Sequence, residues 1–268
     1  MKSFFAIEIA KDREILMQLI KRDVYARYKG SLLGIVWAGL QPIMMLSVYT
    51  LVFSQVFKGR WDGIIEDNRP TTFALNLFAG LIVFNIFAEC TSKSPTIITN
   101  NPNYVKKIVF PIHALGGMLT GSAFAHGLIS AGILILAKGM IDNSISSTVI
   151  LIPIVWIPFL LQCLGLTWLM SCLGVFIKDT GQIVNAFISM LMFLSPIFYP
   201  SSALPGKLMW MTDINPLVFT IDRTREIMIY GIVPNWEEVI IAIILSTIWC
   251  QMCFMILRKS HRSLAEKL

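Results

Sequence analysis

The stretch NSISSTVILIPIVWIPFLLQCLGLTWLMSCLGVFI, residues 143–177, carries no charged side chain in 35 positions. As one helix rising about 1.5 Å per residue it would reach about 52 Å, far beyond a hydrocarbon layer about 30 Å thick. Its polar start, Asn143 to Thr148, therefore belongs to a loop, and a membrane-crossing helix is predicted over 149–176. A strand of a membrane barrel needs only about 9–11 residues of alternating polarity, so a run of this length and uniformity commits the chain to helices.

Outward from this stretch the pattern repeats. Uncharged runs also cover 30–57, 70–88, 108–137, 180–206 and 239–257, none shorter than 19 residues, and about 20 suffice to cross a bilayer. The 268 residues are 56% hydrophobic and 14% charged, against roughly 45–50% and about 25% in soluble proteins. The expected fold is an all-α polytopic membrane protein forming a single transmembrane domain over 1–268. Spans are placed at 32–57, 71–88, 111–137, 149–176, 181–199 and 239–257. In 1–31, Ile9, Leu16, Leu19, Ile20 and Val24 recur at helical spacing among basic residues, which reads as an amphipathic helix at the cytoplasmic membrane surface.

Residues 201–237 fit neither a loop nor a span. Asn215-Pro216 is a helix start and Gly231 a helix stop, bounding a segment with apolar ends and the charges Asp222, Arg223, Arg225 and Glu226 in its middle. Four charges in lipid would cost on the order of 10 kcal/mol, so these residues must meet water, headgroups or one another. The segment is expected to re-enter the periplasmic side of the membrane without crossing.

Lys and Arg of short loops collect on the cytoplasmic side. With the N-terminus inside, 15 of the 22 fall there, and both termini are expected to face the cytoplasm of a bacterial inner membrane. That distribution, beside anionic headgroups, accounts for the net charge of +6 without nucleic acid. The first apolar run follows a charged 29-residue leader with no small-residue cleavage site and reads as an uncleaved span. Five cysteines, four of them in apolar runs, argue against a disulfide framework, and Cys250-x-x-Cys253 reads as core packing.

Gly117 and Gly121 form a Gly-x-x-x-Gly in the third span, read as a close-packing notch. His126 lies in the same span and reads as a neutral structural histidine, because no Asp or Glu is expected within any span. Tyr49, Phe53 and Phe57 fall at i, i+4 and i+8 on one face of the first span, and Phe73, Phe84 and Phe87 share a face of the second.

Chemistry-bearing motifs are missing. Gly206-Lys207 is followed by Leu208 and not by Ser or Thr, and no Gly-x-x-x-x-Gly-Lys-Ser/Thr loop occurs. No carboxylate is expected inside a span, so a proton-coupled carrier lacks its titratable group. Energy must come from a partner, or the protein is passive.

The segment RDVYARYKGSLLGIVWAGLQPIMMLSVYTLVFSQVFK (22–58), with NPNYVKKIVFP (101–111), SPIFYP (195–200) and INPLVFTIDRTREIMIYG (214–231), resembles the permease subunits of type-2 ABC exporters for polysaccharide, the Wzm-like O-antigen permeases and their capsule relatives. The resemblance covers nearly the whole chain. It implies a homodimer enclosing a central channel, with two separate cytosolic ATPase subunits that hold ATP and Mg while this chain holds no cofactor and catalyses no covalent chemistry. It implies that Pro102, Asn103, Tyr104, Lys106 and Lys107 couple to the ATPase, an inert basic loop being the alternative. It implies a channel lined by Trp37, Tyr49, Phe53, Phe57, Phe193, Phe198 and Tyr199, the alternative being interface anchoring and packing between spans. Asp222, Arg223, Arg225 and Glu226 would form a periplasmic gate, or else surface ion pairs on an inert loop. The implied cargo is a glycan on a polyprenyl pyrophosphate lipid, moved from cytoplasm to periplasm. Capsule, teichoic-acid or drug export, and a lipid-modifying membrane enzyme, are the alternatives.

Overall fold

The computed structural model describes residues 4–52, 61–62, 66–67, 69–105, 110–208, 210, 212 and 215–267. Its helices are α1 (Phe5–Lys11), α2 (Arg13–Tyr28), α3 (Trp37–Leu51), α4 (Pro70–Ile97), α5 (Pro102–Val105), α6 (His113–Asp142), α7 (Ile152–Phe176), α8 (Thr180–Leu194), α9 (Pro216–Arg225) and α10 (Trp236–Lys267). Apart from a two-residue antiparallel pairing, Trp61–Asp62 with Glu66–Asp67, the described structure is helices and their connections.

Among the described residues, five helical stretches are long and apolar enough to cross a membrane: Gly34–Leu51, Thr71–Ile97, His113–Asp142, Ser147–Phe176 and Trp236–His261. The protein is a multi-pass membrane protein. The remaining expected span, 181–199, is realised as α8, whose 15 residues rise only about 22 Å. α8 stops where it does because Ser195 precedes Pro196, which disfavours helical backbone, and Ser195 adopts the extended conformation (φ −93°, ψ 147°).

α4 is the axis of the bundle. Apolar on all sides, it packs against α3, α6, α7, α8 and α9, as a helix without a polar stripe must. It also runs nine residues past the expected span end at 88. Opposite Pro95 of this extension stands Gly174 of α7, where a Cβ would come within 2.0 Å of the Pro95 carbonyl oxygen. Only glycine permits that approach.

Two apolar clusters divide the interior. The larger joins α4, α6 and α7 to α8, α9 and the residues after α9. The smaller gathers Phe5, Leu19, Leu115, Trp168, Cys253, Phe254 and Leu264, placing α1, α2 and the end of α10 together on one face of the bundle, called here the terminal face.

The amphipathic leader is two helices broken at Asp12, and its apolar side faces protein. Leu16 and Ile20 of α2 lie in the Gly117/Gly121 notch of α6. A Cβ at Gly117 would come within 2.8 Å of Leu16 Cδ1, and one at Gly121 within 2.4 Å of Ile20 Cδ1. The helix that fills this close-packing notch is the leader helix α2.

Candidate functional site

At the end of the bundle away from the terminal face, the segment after α8 folds back and α9 starts against the broken end of α8. Asn215 caps α9 by accepting the Leu217 N–H at 3.0 Å, while its amide donates to Ser195 Oγ at 2.9 Å. Pro216 occupies the first helical turn, where its missing N–H costs nothing. Thr224 accepts from Trp156 Nε1 at 2.9 Å, and Thr148 donates to the Ile227 carbonyl at 2.7 Å. Gly231, at φ +69°, ends the helical path in the left-handed conformation that glycine adopts without penalty.

Arg225 is the hub of this fold-back. It is 3% exposed. Its Nε donates to the Asn76 carbonyl of α4 at 3.1 Å and its Nη2 to the Ile197 carbonyl at 2.9 Å, with Nη1 3.5 Å from Asp222 Oδ1. Asn76 also accepts from the Tyr230 hydroxyl at 3.1 Å. Burial pulls the Arg225 pKa down to about 10, with Asp222 opposing, so the group stays charged at neutral pH. Burial pushes the Asp222 carboxyl up, restrained by Ser201, Arg225 and Arg223. It pushes Glu226 up as well, against Arg223. Arg223 pairs with Glu226 and, at 3.1 Å, with Glu238 of α10, and it lies over the Phe219 ring. The four expected charges thus meet one another and backbone carbonyls, and surface ion pairing does not describe Arg225.

On the terminal face, α5 holds Pro102, Asn103 and Tyr104. Pro102 opens it, and the turn before it is closed by Asn101, whose amide donates to the Ile97 carbonyl at 2.8 Å. The Tyr104 hydroxyl accepts from Arg22 of α2, whose guanidinium also lies over the ring, and Tyr104 packs on Phe110 at 4.5 Å between centroids. Lys106 and Lys107 lie outside the described residues.

α2 makes a second polar link deeper in the bundle. Arg27 pairs through both terminal nitrogens with Glu89 of α4, and Lys93 reaches the same carboxylate at 2.9 Å. His126 Nδ1 is 3.9 Å from Glu89, and the His126 ring meets Tyr28 edge-on at 5.9 Å. The expectation that His126 has no acidic neighbour is corrected: α4 continues past its apolar run and brings Glu89 beside it. The sequence signal was there, since Glu89 and Lys93 stand four apart, a pair that supports a helix.

The aromatic residues divide. Phe193, 71% exposed, stacks with Phe198 at 6.0 Å, and the Tyr199 hydroxyl donates to the Phe193 carbonyl at 3.2 Å, so these three form one cluster at the end of α8. Tyr49 packs partly against the core. Trp37 begins α3, twelve residues from Tyr49, which is about 18 Å of helical rise and places it in a different layer. Phe53 and Phe57 lie outside the described residues. Phe73, Phe84 and Phe87 are buried in the core.

A bundle of apolar spans, a charged fold-back locked at one end and a short helix tied to a basic leader at the other are the parts of a membrane transport subunit. The model of the ABC-2 type transporter family matches residues 14–229, and the chain belongs to that family. It is similar to the O-antigen export system permease protein RfbA of Myxococcus xanthus, 23% identical over 97% of this chain and 98% of the relative. It is also similar to the protein of the same name from Klebsiella pneumoniae, 26% identical over 94% of each chain. The polysialic acid transport protein KpsM of Escherichia coli is 25% identical over 80% of each.

Proposed function

We propose that this chain is the membrane-spanning subunit of an ATP-driven exporter that moves a polyprenyl-linked polysaccharide of the O-antigen type across the bacterial inner membrane. The observation that carries this reading is the end-to-end similarity to O-antigen export permeases, spanning 97% of this chain and 98% of the relative, in a sequence with no nucleotide-binding loop of its own. Two cytosolic ATPase subunits supply the energy, and two copies of this chain enclose the path. The terminal face is cytoplasmic, in keeping with the distribution of Lys and Arg.

Pro102, Asn103 and Tyr104, continuing to Lys106 and Lys107, dock the ATPase. A short helix held between two spans transmits a rigid-body push. Tyr49, Phe53, Phe57, Phe193, Phe198, Tyr199 and, at another level, Trp37 give the glycan flat faces against which sugar C–H groups slide. The fold-back around Asp222, Arg223, Arg225 and Glu226 closes the periplasmic end. Arg225 anchors this gate to α4, and Arg223, more exposed and tied to α10 through Glu238, is its outer contact. The similarity to a polysialic acid transporter favours a capsule-type polymer as the second reading of the cargo.

The test is ATP-dependent arrival of lipid-linked glycan at the periplasmic face, with the chain and its neighbouring ATPase reconstituted together. Wild type should transport, and Lys106→Glu/Lys107→Glu should fail while remaining folded. Transport that survives the double change removes the lysines from coupling, and absence of glycan movement with every competent ATPase overturns the exporter.

A further inference from the structure

His126 belongs to neither the docking helix, the aromatic cluster nor the fold-back. Its side chain is largely enclosed, and among the described residues neither of its buried ring nitrogens has a hydrogen-bond partner. A neutral imidazole carries one N–H donor and one acceptor nitrogen, and polar groups left unmade inside a protein are costly enough to need a reason. The acceptor at hand is the Glu89 carboxylate, 3.9 Å from Nδ1, about 1 Å beyond an ordinary hydrogen bond.

That carboxylate is already engaged. Arg27 of α2 holds it through both terminal nitrogens, and Lys93 reaches it at 2.9 Å. Tyr28, next to Arg27 on α2, stands edge-on to the imidazole, so Arg27 and Tyr28 leave or return together. The charged groups facing His126 are Arg27 and Asp23 of α2 and Glu89 and Lys93 of α4. Were α2 to take its arginine away, Glu89 would keep Lys93 alone, a side chain that is half exposed. Removing one partner from an enclosed ion pair strands the other charge, and His126 stands where a replacement is needed.

The surroundings of α2 permit such a withdrawal. Leu16 and Ile20 sit in the α6 notch, and Arg27 lies seven residues beyond Ile20, about 10 Å along the helix. The notch is thus a fulcrum and the arginine end a moving arm. Past Tyr28 the chain turns through Gly30 at φ +88° and Gly34 at φ +53°, and a Cβ at either would meet nothing within 4 Å. Hinges are short stretches at element ends that absorb changes of backbone angle in this way. On the same arm Arg22 bonds the Tyr104 hydroxyl of α5, so a displacement of α5 is carried to α2.

We propose that Glu89 exchanges partners, from Arg27 while the leader helix is docked to His126 when it swings away, and that His126 is the positioning residue that stabilises the released state. Without Arg27, Lys93 balances the charge of Glu89 and a neutral Nδ1–H supplies the missing hydrogen bond, so no proton has to be taken up. The drive for the swing, though not the exchange, rests on the docking role proposed for α5.

The experiment reconstitutes the full chain in phospholipid, isotope-labelled at the histidine nitrogens and glutamate carboxyl carbons. Solid-state NMR reads the dipolar coupling between His126 Nδ1 and the Glu89 carboxyl carbon, with His126→Phe as the blank that assigns it. The wild-type coupling should be weak, in keeping with the 3.9 Å separation. Arg27→Ala should strengthen it to that of a direct hydrogen bond, and Arg27→Gln gives the same comparison should the alanine variant fail to fold. An unchanged coupling in a folded Arg27 variant overturns the proposal. A histidine that merely packs would lower the unfolding midpoint when replaced in the wild-type chain, whereas His126→Phe should lower it only in the Arg27→Ala background. With the partner ATPase turning over ATP, His126→Phe should reduce glycan transport severalfold at an unchanged rate of hydrolysis, and full transport by that variant overturns the positioning role. Exchange in a chain that moves no glycan with any competent ATPase sinks the exporter reading and leaves the exchange standing.

Discussion

Replacing Arg225 by methionine keeps an unbranched side chain of similar length and removes the charge and every donor. Two carbonyls, Asn76 O and Ile197 O, lose partners at 3.1 and 2.9 Å, and Asp222 loses its buried counter-ion. Hydrogen bonds to a charged group are each worth about 1.5–3 kcal/mol, and breaking a buried pair from one side costs about 3–5 kcal/mol because the partner charge is left stranded. The expected loss is therefore about 3–5 kcal/mol, read as a shift in the midpoint of unfolding when the purified chain in mixed micelles is titrated with denaturing detergent. Two companions sharpen the reasoning. Arg223→Ala removes ion pairs of a more exposed arginine that donates to no backbone carbonyl among the described residues, and should cost less than Arg225→Met. Asp222→Asn combined with Arg225→Met removes both charges and should recover part of the loss. Gly80→Ala attacks the same contact from α4, since its Cβ would come within 2.9 Å of Arg225 Nη2. An Arg225→Met chain that unfolds at the wild-type midpoint, or an Arg223→Ala chain that loses as much, would refute the assignment of Arg225 as the hub.

Gly121→Val should overfill the notch taken by Ile20 and cost about 1–3 kcal/mol, with α2 becoming accessible to protease; the paired change Ile20→Ala should restore protection, and protection without it would show that α2 docks elsewhere. Arg27→Glu should loosen α2 from α4 by less than about 1 kcal/mol, given the partial exposure of the pair, and Glu89→Arg in the same chain should restore it, as judged by a disulfide trap between α2 and α4. For Asp222, the folded pKa lies above the unfolded value, so its contribution is fully present below the unfolded pKa and is lost as pH rises through the folded one. Wild type should therefore lose stability as pH rises above the ordinary carboxylate range where Asp222→Asn does not, and parallel pH profiles of the two chains would dismiss the effect.

Much of this architecture was legible because hydrocarbon imposes a length. The 35-residue run 143–177 had to be divided, and in the structure α7 follows a short 3-10 helix at Ser147–Leu151. Helix starts and stops at Asn215-Pro216 and Gly231 were equally readable, since capping is local chemistry. What hydropathy could not show was where a helix goes on after its apolar run ends. α4 passes 88 into Glu89 and Lys93, whose charges are matched by Arg27 of another helix and by each other. The length of α4 is set by a partner 62 positions away in sequence, and no window of sequence contains both. The same holds for the leader. Leu16 and Ile20 are four apart, as are Gly117 and Gly121, and the two spacings fit each other only once the helices are side by side.

The charged segment at 222–226 shows how a cost in transfer free energy becomes a structural constraint. Exposed to lipid, four charges could not be held there, and a merely solvated loop would leave them free to move. Drawn into the bundle, they meet one another, and Arg225 gives its donors to the Asn76 carbonyl inside α4 and to a carbonyl released where the backbone has left helical geometry. Ile197 offers such a carbonyl because Pro196 has broken α8 two residues after its end. The break that shortens α8 below the length of a span thus creates the acceptor that ties α9 to the segment after α8, while Asn76 ties it to α4, and the incomplete span and the buried arginine are one structural solution.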